Sequence, residues 1–148
     1  MMTDVRRPAT ADQAGHPAFE RLFGAEGFRL LREADIEALT KAEGMQLAVF
    51  ADDPNRMKET IDMAVIAPEI RRALGSAVAG AWFSDMPTGR AMAARWGIRR
   101  LPAVALFRSG VYLGAAEGLM NWDAYLKQLA EIGMRRCAPK KTIAVLNG

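Results

Sequence analysis

Hydrophobic and polar positions form short blocks along this chain, and the blocks predict an ordered series of strands and helices. Three nearly continuous apolar runs, at 45–51, 78–83 and 101–107, have the length of strands that are covered on both faces. Between these runs, apolar residues recur at helical spacing over about 61–74, at Ile61, Val65, Ile66, Ile70 and Leu74. A further helix is predicted over about 88–96, before Gly97. The central part of the chain therefore alternates strand and helix.

Turn and capping residues indicate where the later elements end. Ser109–Gly110 is a two-residue hairpin signal, so 111–116 is predicted to return as the partner of the preceding strand. Asn121 is a cap for a last helix with a clear apolar face. Pro68 falls inside the helix predicted over 61–74, which should therefore be kinked or begin late.

The beginning of the chain is less strongly patterned. Residues 1–17 show no periodicity and are interpreted as a flexible N-terminal tail. A short helix fits 18–23, whereas 28–31 fits either a strand or a helix when taken alone. A further helix with early acidic residues is predicted to stop at Gly44.

This order of elements predicts an α/β fold, a three-layer sandwich with a mixed central sheet. Strand–helix alternation gives parallel pairing, and the C-terminal hairpin adds antiparallel strands. The predicted domain spans 18–133, between the tail at 1–17 and a basic C-terminal tail at 134–148. A chain of 148 residues has the usual size of one domain.

The chain contains one cysteine and one histidine, and these counts exclude several kinds of site. An intrachain disulfide and a Cys-x-x-Cys redox centre each need two cysteines, and structural zinc sites usually need four Cys or His ligands. A histidine-dependent catalytic scheme would have to use His16, in the predicted tail. We therefore expect no cofactor and no metal.

The formal net charge of +3 is too small to indicate a nucleic-acid partner. The arginine pairs 71–72, 99–100 and 135–136 lack the interleaved aromatic residues that stack on bases, so no nucleic-acid binding is expected. No apolar run approaches the roughly 18 residues of a membrane span. Arg6–Arg7 is not followed by the hydrophobic region of an export signal, so we expect a cytoplasmic protein without direct membrane insertion.

Four acidic residues follow the first apolar strand: Asp52, Asp53, Glu59 and Asp62. They lie beyond the carboxyl end of a strand and at the start of the next helix, where open α/β sheets place their ligands. Acids at that position also stabilise the helix N-terminus by about 0.3–1 kcal/mol each. Both interpretations stay open: helix stabilisation, or a binding site for the guanidinium groups of a partner.

The segment Gly97–Ala103, with its hairpin, Gly118 and last helix, resembles the thioredoxin fold over roughly 28–132. The resemblance implies that the Leu101–Pro102 bond is cis and that the backbone of Leu101 faces a groove, where an extended peptide could pair with it. The alternative is that this proline only completes an inherited fold. The redox cysteines of that fold correspond to Thr60 and Met63, so thiol–disulfide chemistry is absent.

Three segments, Phe50–Arg56, Arg95–Ala103 and Gly118–Trp122, are similar to a narrower group, the hydrogenase expression/formation proteins called HupG and HyaE. This resemblance implies a non-catalytic assembly chaperone for a membrane-bound uptake nickel–iron hydrogenase. The implied partner is the precursor of the small subunit, recognised through its twin-arginine signal peptide, and further hydrogenase maturation factors are possible partners. The candidate peptide-binding residues are Asp52, Asp53, Glu59, Asp62, Leu101 and Pro102.

Two other functions compete with this interpretation. Cys137, beside two arginines, could make the chain a single-cysteine thiol enzyme or redox sensor. The chain could also be a purely structural subunit of a larger complex. A set of large apolar residues could either line an adaptable surface for a signal peptide or fill the core: Met57, Met63, Trp82, Met86 and Trp96.

Overall fold

The computed structural model describes residues 15–83 and 88–138. The helices are α1 (Pro17–Phe23), α2 (Glu37–Thr40), α3 (Glu59–Leu74), α4 (Thr88–Ala94) and α5 (Trp122–Gly133), with a 3-10 turn at Glu33–Asp35 before α2. The strands are β1 (Arg29–Leu30), β2 (Met45–Phe50), β3 (Ala79–Phe83), β4 (Ala103–Arg108) and β5 (Val111–Glu117). The predicted order of elements is confirmed, and the ambiguous segment at 28–31 contains a strand.

The five strands form one mixed sheet in the order β1-β3-β2-β4-β5. β3 pairs in parallel with both β1 and β2, whereas β4 is antiparallel to β2 and to β5. The hairpin between β4 and β5 turns at Ser109 and Gly110, which both have positive φ. The predicted α/β sandwich with a C-terminal hairpin, of the thioredoxin-like type, is confirmed.

Two hydrophobic cores lie on opposite faces of the sheet. On one face, α1, α3 and α5 cover a core that contains the fully buried Trp82, whose ring meets that of Phe19 edge-on at 5.7 Å between centroids. On the other face, α2 and α4 cover Phe50 and Phe83, whose rings stack at 5.1 Å. The sheet is therefore the middle layer of three.

Helix α3 differs from its prediction in its start and in its buried face. It begins at Glu59 and continues through Pro68. Of the two alternatives that the proline left open, a kink or a late start, the late start is wrong. Val65, which the apolar spacing placed on the buried face, is 50% exposed. The buried face is instead formed by Thr60, Met63, Ala64, Ala67, Pro68 and Ile70. Small alanines on this face let α3 approach α1 and the sheet closely, whereas Ile61 and Ile66 are only partly buried and Val65 is exposed.

The two ends of the described chain contact the domain. The Nδ1 atom of His16 accepts a hydrogen bond from the Ala18 N–H at 3.0 Å and so caps α1. After α5, the Ala138 N–H donates to the Tyr112 carbonyl of the outer strand β5 at 2.9 Å. Residues 1–14 and 139–148, including the short apolar piece 142–146, lie outside the described residues.

Gly89 brings α4 against the ends of two strands. A Cβ atom at this position would lie 2.0 Å from the carbonyl oxygen of Ala51 and 2.8 Å from that of Phe83. A hydrogen in place of a side chain lets the first turn of α4 sit directly on the carboxyl ends of β2 and β3. This close approach brings the neighbouring residue, Arg90, to the loop after β2.

Gly89→Ala is expected to destabilise the protein, with Gly133→Ala as a matched control in another helix. Alanine is favoured over glycine in helices by up to about 1 kcal/mol. A Cβ at Gly133 would make only an ordinary 3.7 Å contact with Leu106, so replacing Gly133 by alanine should leave stability unchanged or raise it. The clash at Gly89 should lower the free energy of unfolding by about 1–3 kcal/mol in urea denaturation. Equal stability of the two variants would contradict the close packing of α4.

Candidate functional site

One end of the sheet brings together residues from both halves of the chain. Phe50, the last residue of β2, is paired with Ala103, and Ala103 is paired with Glu117 on β5. The loop after β2, the segment Leu101–Pro102 before β4, and the end of β5 therefore lie side by side. Arg90 of α4 reaches the same place by bonding to Asp52. We call this region the site end of the sheet: residues 51–62, Arg90, residues 101–102 and residues 117–118.

Asp52 is buried at the site end, with 7% of its surface exposed. One carboxylate oxygen, Oδ2, accepts a hydrogen bond from the Arg90 guanidinium at 2.9 Å, and Oδ1 accepts from the Asp53 N–H at 2.7 Å. Burial raises the pKa of the Asp52 carboxyl, but these bonds and the charges of Arg90 and Arg56 outweigh it and hold the pKa below its ordinary value. Asp52 is thus an ionised, internally paired carboxylate.

Asp53 organises the loop that leads into α3. Its Oδ1 atom accepts hydrogen bonds from the backbone N–H of Asn55 at 2.9 Å and from the Asn55 side-chain amide at 3.1 Å. Its carbonyl accepts from the N–H groups of Arg56 and Met57, both at 2.9 Å. The Asp53 side chain remains partly exposed, so this acid combines a turn-forming role with access to solvent.

The other two candidate acids, Glu59 and Asp62, are exposed on the first turn of α3. Their position beside the helix N-terminus fits the helix-stabilising interpretation. It is equally accessible to a cationic partner. The role of the four acids in binding stays a prediction.

Thr60 and Met63, which the sequence resemblance matches to the cysteines of a redox thioredoxin, are both fully buried. The Thr60 hydroxyl donates to the Asp52 carbonyl at 2.8 Å. Met63 belongs to the core beneath α3. Neither side chain is available to a substrate at the site end.

The Leu101–Pro102 peptide bond is cis, as the fold resemblance implied. Both residues are buried, and the Pro102 carbonyl accepts the Gly118 N–H at 2.9 Å. The Gly118 carbonyl in turn accepts the hydroxyl of Tyr125, whose pKa is raised by burial. Within the described chain, no hydrogen bond involves the backbone N–H or C=O of Leu101.

The large apolar residues considered for a signal-peptide surface divide into three groups. Met63 and Trp82 are fully buried core residues, so that interpretation is wrong for them. Met57 and Trp96 are partly buried and pack against the α4-side core. Met86 lies outside the described residues.

Sequence reasoning missed two charged residues of the site end, Arg90 and Glu117. Arg90 pairs with Asp52 from 38 residues away, and Glu117 accepts two backbone N–H groups from the loop before Pro102. The sequence held only indirect signals for them: Arg90 directly follows a glycine at a helix start, and Glu117 ends an apolar strand beside a glycine.

Cys137 lies far from this region. Its neighbour Ala138 bonds to Tyr112, which is paired with Phe107, and Phe107 faces Gln46 near the amino end of β2. Cys137 is therefore at the opposite end of the sheet from Pro102, on the surface. Across residues 15–83 and 88–138, no three His, Cys, Asp or Glu side chains are grouped so that they could hold a metal ion.

Comparison with known proteins assigns the family. A family model described as "Hydrogenase-1 expression protein HyaE" matches residues 18–125, well over half of the chain. The chain belongs to the HyaE family. It is 32% identical over 135 residues to the hydrogenase expression/formation protein HupG of Rhodobacter capsulatus, covering 88% of this chain and 96% of that protein. It is 28% identical over 117 residues to the hydrogenase expression/formation protein HoxO of Azotobacter vinelandii, covering 79% and 78%.

The family confirms the resemblance found in the sequence and gives the chain a role in hydrogenase assembly. The names of these HyaE-type relatives refer to the expression and formation of a hydrogenase and to no reaction of their own. In the part of the chain that the structure covers, no helix is long and apolar enough to cross a membrane.

Arg90→Met should destabilise the protein in a pH-dependent way. The folded-state pKa of Asp52 lies below its unfolded value, so its contribution to stability is complete above about pH 4 and is lost as the pH falls further. Without Arg90, the carboxylate stays buried but loses its cation, which should reduce the free energy of unfolding at pH 7 by about 1–3 kcal/mol. The difference from the wild type should shrink towards pH 3, where Asp52 is protonated in the variant.

Lys41→Met is the control for this measurement by urea denaturation. Lys41 forms an ion pair with Glu37 in which both side chains are about 70% exposed, so its loss should change stability by less than about 0.5 kcal/mol. A difference between wild type and Arg90→Met that is the same at pH 7 and pH 3 would contradict the role of the Asp52 charge.

Proposed function

We propose that this protein is a non-catalytic assembly chaperone for a membrane-bound uptake nickel–iron hydrogenase. It binds the precursor of the small subunit in the cytoplasm, through the twin-arginine signal peptide of that precursor. The site end of the sheet is the binding site, with Asp52, Asp53, Glu59, Asp62, Leu101 and Pro102 as its residues. Membership of the HyaE family supports the hydrogenase role, and the geometry of the site end supports binding of a peptide.

The observation that carries this proposal is the backbone of Leu101, which makes no hydrogen bond to the described part of the chain. A free N–H and C=O beside a fixed proline can pair with an extended peptide as a neighbouring strand would. Backbone pairing of this kind gives affinity without requiring one particular client sequence. It suits the recognition of a signal peptide, whose apolar part varies.

The acidic residues add the recognition of charge. Glu59 and Asp62 are exposed on α3, and Asp53 is partly exposed in the loop before it. Carboxylates bind guanidinium groups through paired, charge-assisted hydrogen bonds, so a pair of arginines is a natural ligand. Asp52 differs from these acids, because a client arginine can reach its carboxylate only by replacing Arg90.

Binding rather than catalysis is also supported by the chemistry that the site end lacks. Thr60 and Met63 are buried, and the Thr60 hydroxyl is bonded to the Asp52 carbonyl. The thiol-enzyme alternative would have to rely on Cys137, at the other end of the sheet. No observation favours it. A catalytic role for Cys137 would be detected as an activity that the Cys137→Ser variant loses.

The first test is a pull-down of the small-subunit precursor by the purified full-length protein. The precursor should be retained, and the same subunit without its signal peptide should be retained much less, because the signal peptide supplies the arginines and the extended segment. Retention of neither form would contradict the chaperone proposal. Equal retention of both forms would contradict recognition through the signal peptide.

The second test removes the outward-facing acids. The triple variant Asp53→Asn, Glu59→Gln, Asp62→Asn should bind the precursor about tenfold more weakly, as expected for three exposed ion pairs of about 0.5 kcal/mol each. The remaining affinity should also depend less on salt concentration, because fewer screened charge pairs contribute. Both quantities are measured by titration calorimetry at low and high salt.

A triple variant with the same change in charge serves as the control: Glu37→Gln, Glu43→Gln, Glu131→Gln. These three residues are exposed and lie away from the site end. Their replacement should leave affinity within about twofold of the wild type. If the two triple variants behave alike, the acids after β2 serve only to stabilise α3.

A further inference from the structure

Two consecutive backbone amides ahead of Pro102 share one acceptor. The N–H groups of Arg99 and Arg100 donate to the same carboxylate oxygen, Oε1 of Glu117, at 2.8 and 3.0 Å. Both donors lie between α4 and β4, in a segment without helix or strand pairing of its own. A carboxylate that receives two adjacent amides forms charge-assisted bonds, which are roughly twice as strong as neutral ones.

The register of the sheet places Glu117 at this position. Glu117 is the last residue of β5 and is paired with Ala103, the first residue of β4. Directly paired residues of antiparallel strands point to the same face of the sheet. The Glu117 side chain therefore lies on the face covered by α4, where the segment between α4 and β4 also runs. The next residue, Gly118, bonds through its N–H to the Pro102 carbonyl.

These contacts hold the chain on both sides of Leu101. Glu117 fixes Arg99 and Arg100 before it, and Gly118 fixes Pro102 after it. Leu101 as a whole residue is largely buried, with 9% of its surface exposed. The segment is therefore anchored by its flanking residues and by its own side chain, while its backbone polar groups stay without a partner in the described chain.

Space around Gly118 is limited by one of the same arginines. A Cβ atom at Gly118 would lie 3.1–3.4 Å from the guanidinium of Arg100, and the glycine has a φ of +82°. The Arg100 side chain thus covers the turn that follows Glu117. Both residues of the pair Glu117–Gly118 therefore fit the Arg99–Pro102 segment. The Glu117 carboxylate bonds to it, and the absence of a side chain at Gly118 leaves room for Arg100.

We propose that Glu117 is a positioning residue, which holds the Arg99–Pro102 segment so that the backbone of Leu101 is presented to the client. This inference rests on the proposed function, because it concerns the same peptide-binding site. Glu117 does not contact the client itself. It acts by fixing the two peptide groups that precede Leu101, so that the pairing groups are ordered before the client arrives, which reduces the entropic cost of binding.

The test compares Glu117→Ala, Glu117→Gln and the charge control Glu37→Ala in the full-length protein. Amide hydrogen exchange is measured by NMR at Arg99 and Arg100, and at Val49 in the central strand as a reporter of global stability. Affinity for the small-subunit precursor is measured in parallel. Glu117→Ala should speed exchange at Arg99 and Arg100 by about tenfold or more, as expected for local opening, with Val49 unchanged.

The same variant should bind the precursor about five- to tenfold more weakly. Glu117→Gln keeps an oxygen acceptor and should recover most of both effects, and Glu37→Ala should show neither. If Glu117→Ala fails to fold, Glu117→Gln gives a smaller effect of the same sign, because its acceptor is neutral.

Unchanged exchange at Arg99 and Arg100 would overturn the positioning role. Faster exchange with unchanged affinity would overturn the link between this segment and the client. Failure of the proposed function is recognised separately, because the wild type itself would then not bind the precursor. In that case the exchange measurement still decides whether Glu117 holds the segment.

Discussion

The ion pair between Asp52 and Arg90 is the interaction on which the arrangement of the site end depends. A carboxylate this deeply buried is strongly destabilising unless charged or polar donors surround it. Asp52 satisfies this requirement with Arg90 from α4, while its carbonyl accepts the Thr60 hydroxyl from α3. One residue thus joins the end of β2 to two helices on opposite faces of the sheet. The loop from Asp53 onwards is built from this fixed point.

The same contacts determine what the site end presents to a ligand. Thr60 and Met63, which the sequence resemblance matches to the redox cysteines of this fold, are fully buried. The exposed carboxylates at the start of α3, those of Glu59 and Asp62, are left at the surface, and the backbone of Leu101 has no hydrogen-bond partner in the described part of the chain. A surface with these groups can recognise a peptide through hydrogen bonds and charge, and it offers no side chain for thiol chemistry at that place. The family role in hydrogenase formation agrees with such a surface.

Much of the fold could be predicted, because strand–helix alternation and a terminal hairpin constrain the order and direction of the strands. The failures have physical reasons. Val65 was placed in the core because large apolar residues dominate a spacing argument, whereas α3 packs through small alanines. Arg90 was missed because the chain holds many arginines and only the tertiary fold selects one of them for Asp52. Glu117 was missed because its role depends on the register of β5 with β4, which sequence spacing does not specify.

The acidic residues of this region look alike in the sequence, yet the structure divides them into two kinds. Asp52 and Glu117 are engaged by donors from their own chain, an arginine in one case and two backbone amides in the other. Glu117 holds the two residues before Leu101, and Asp52 holds the start of the loop after β2. Glu59 and Asp62 remain outside, with Asp53 partly so. The charge available to a partner is therefore smaller than the acidic count of the loop suggests. If this region binds the client as proposed, its selectivity must come from where these few charges stand relative to the Arg99–Pro102 backbone, because their number alone would attract any basic peptide.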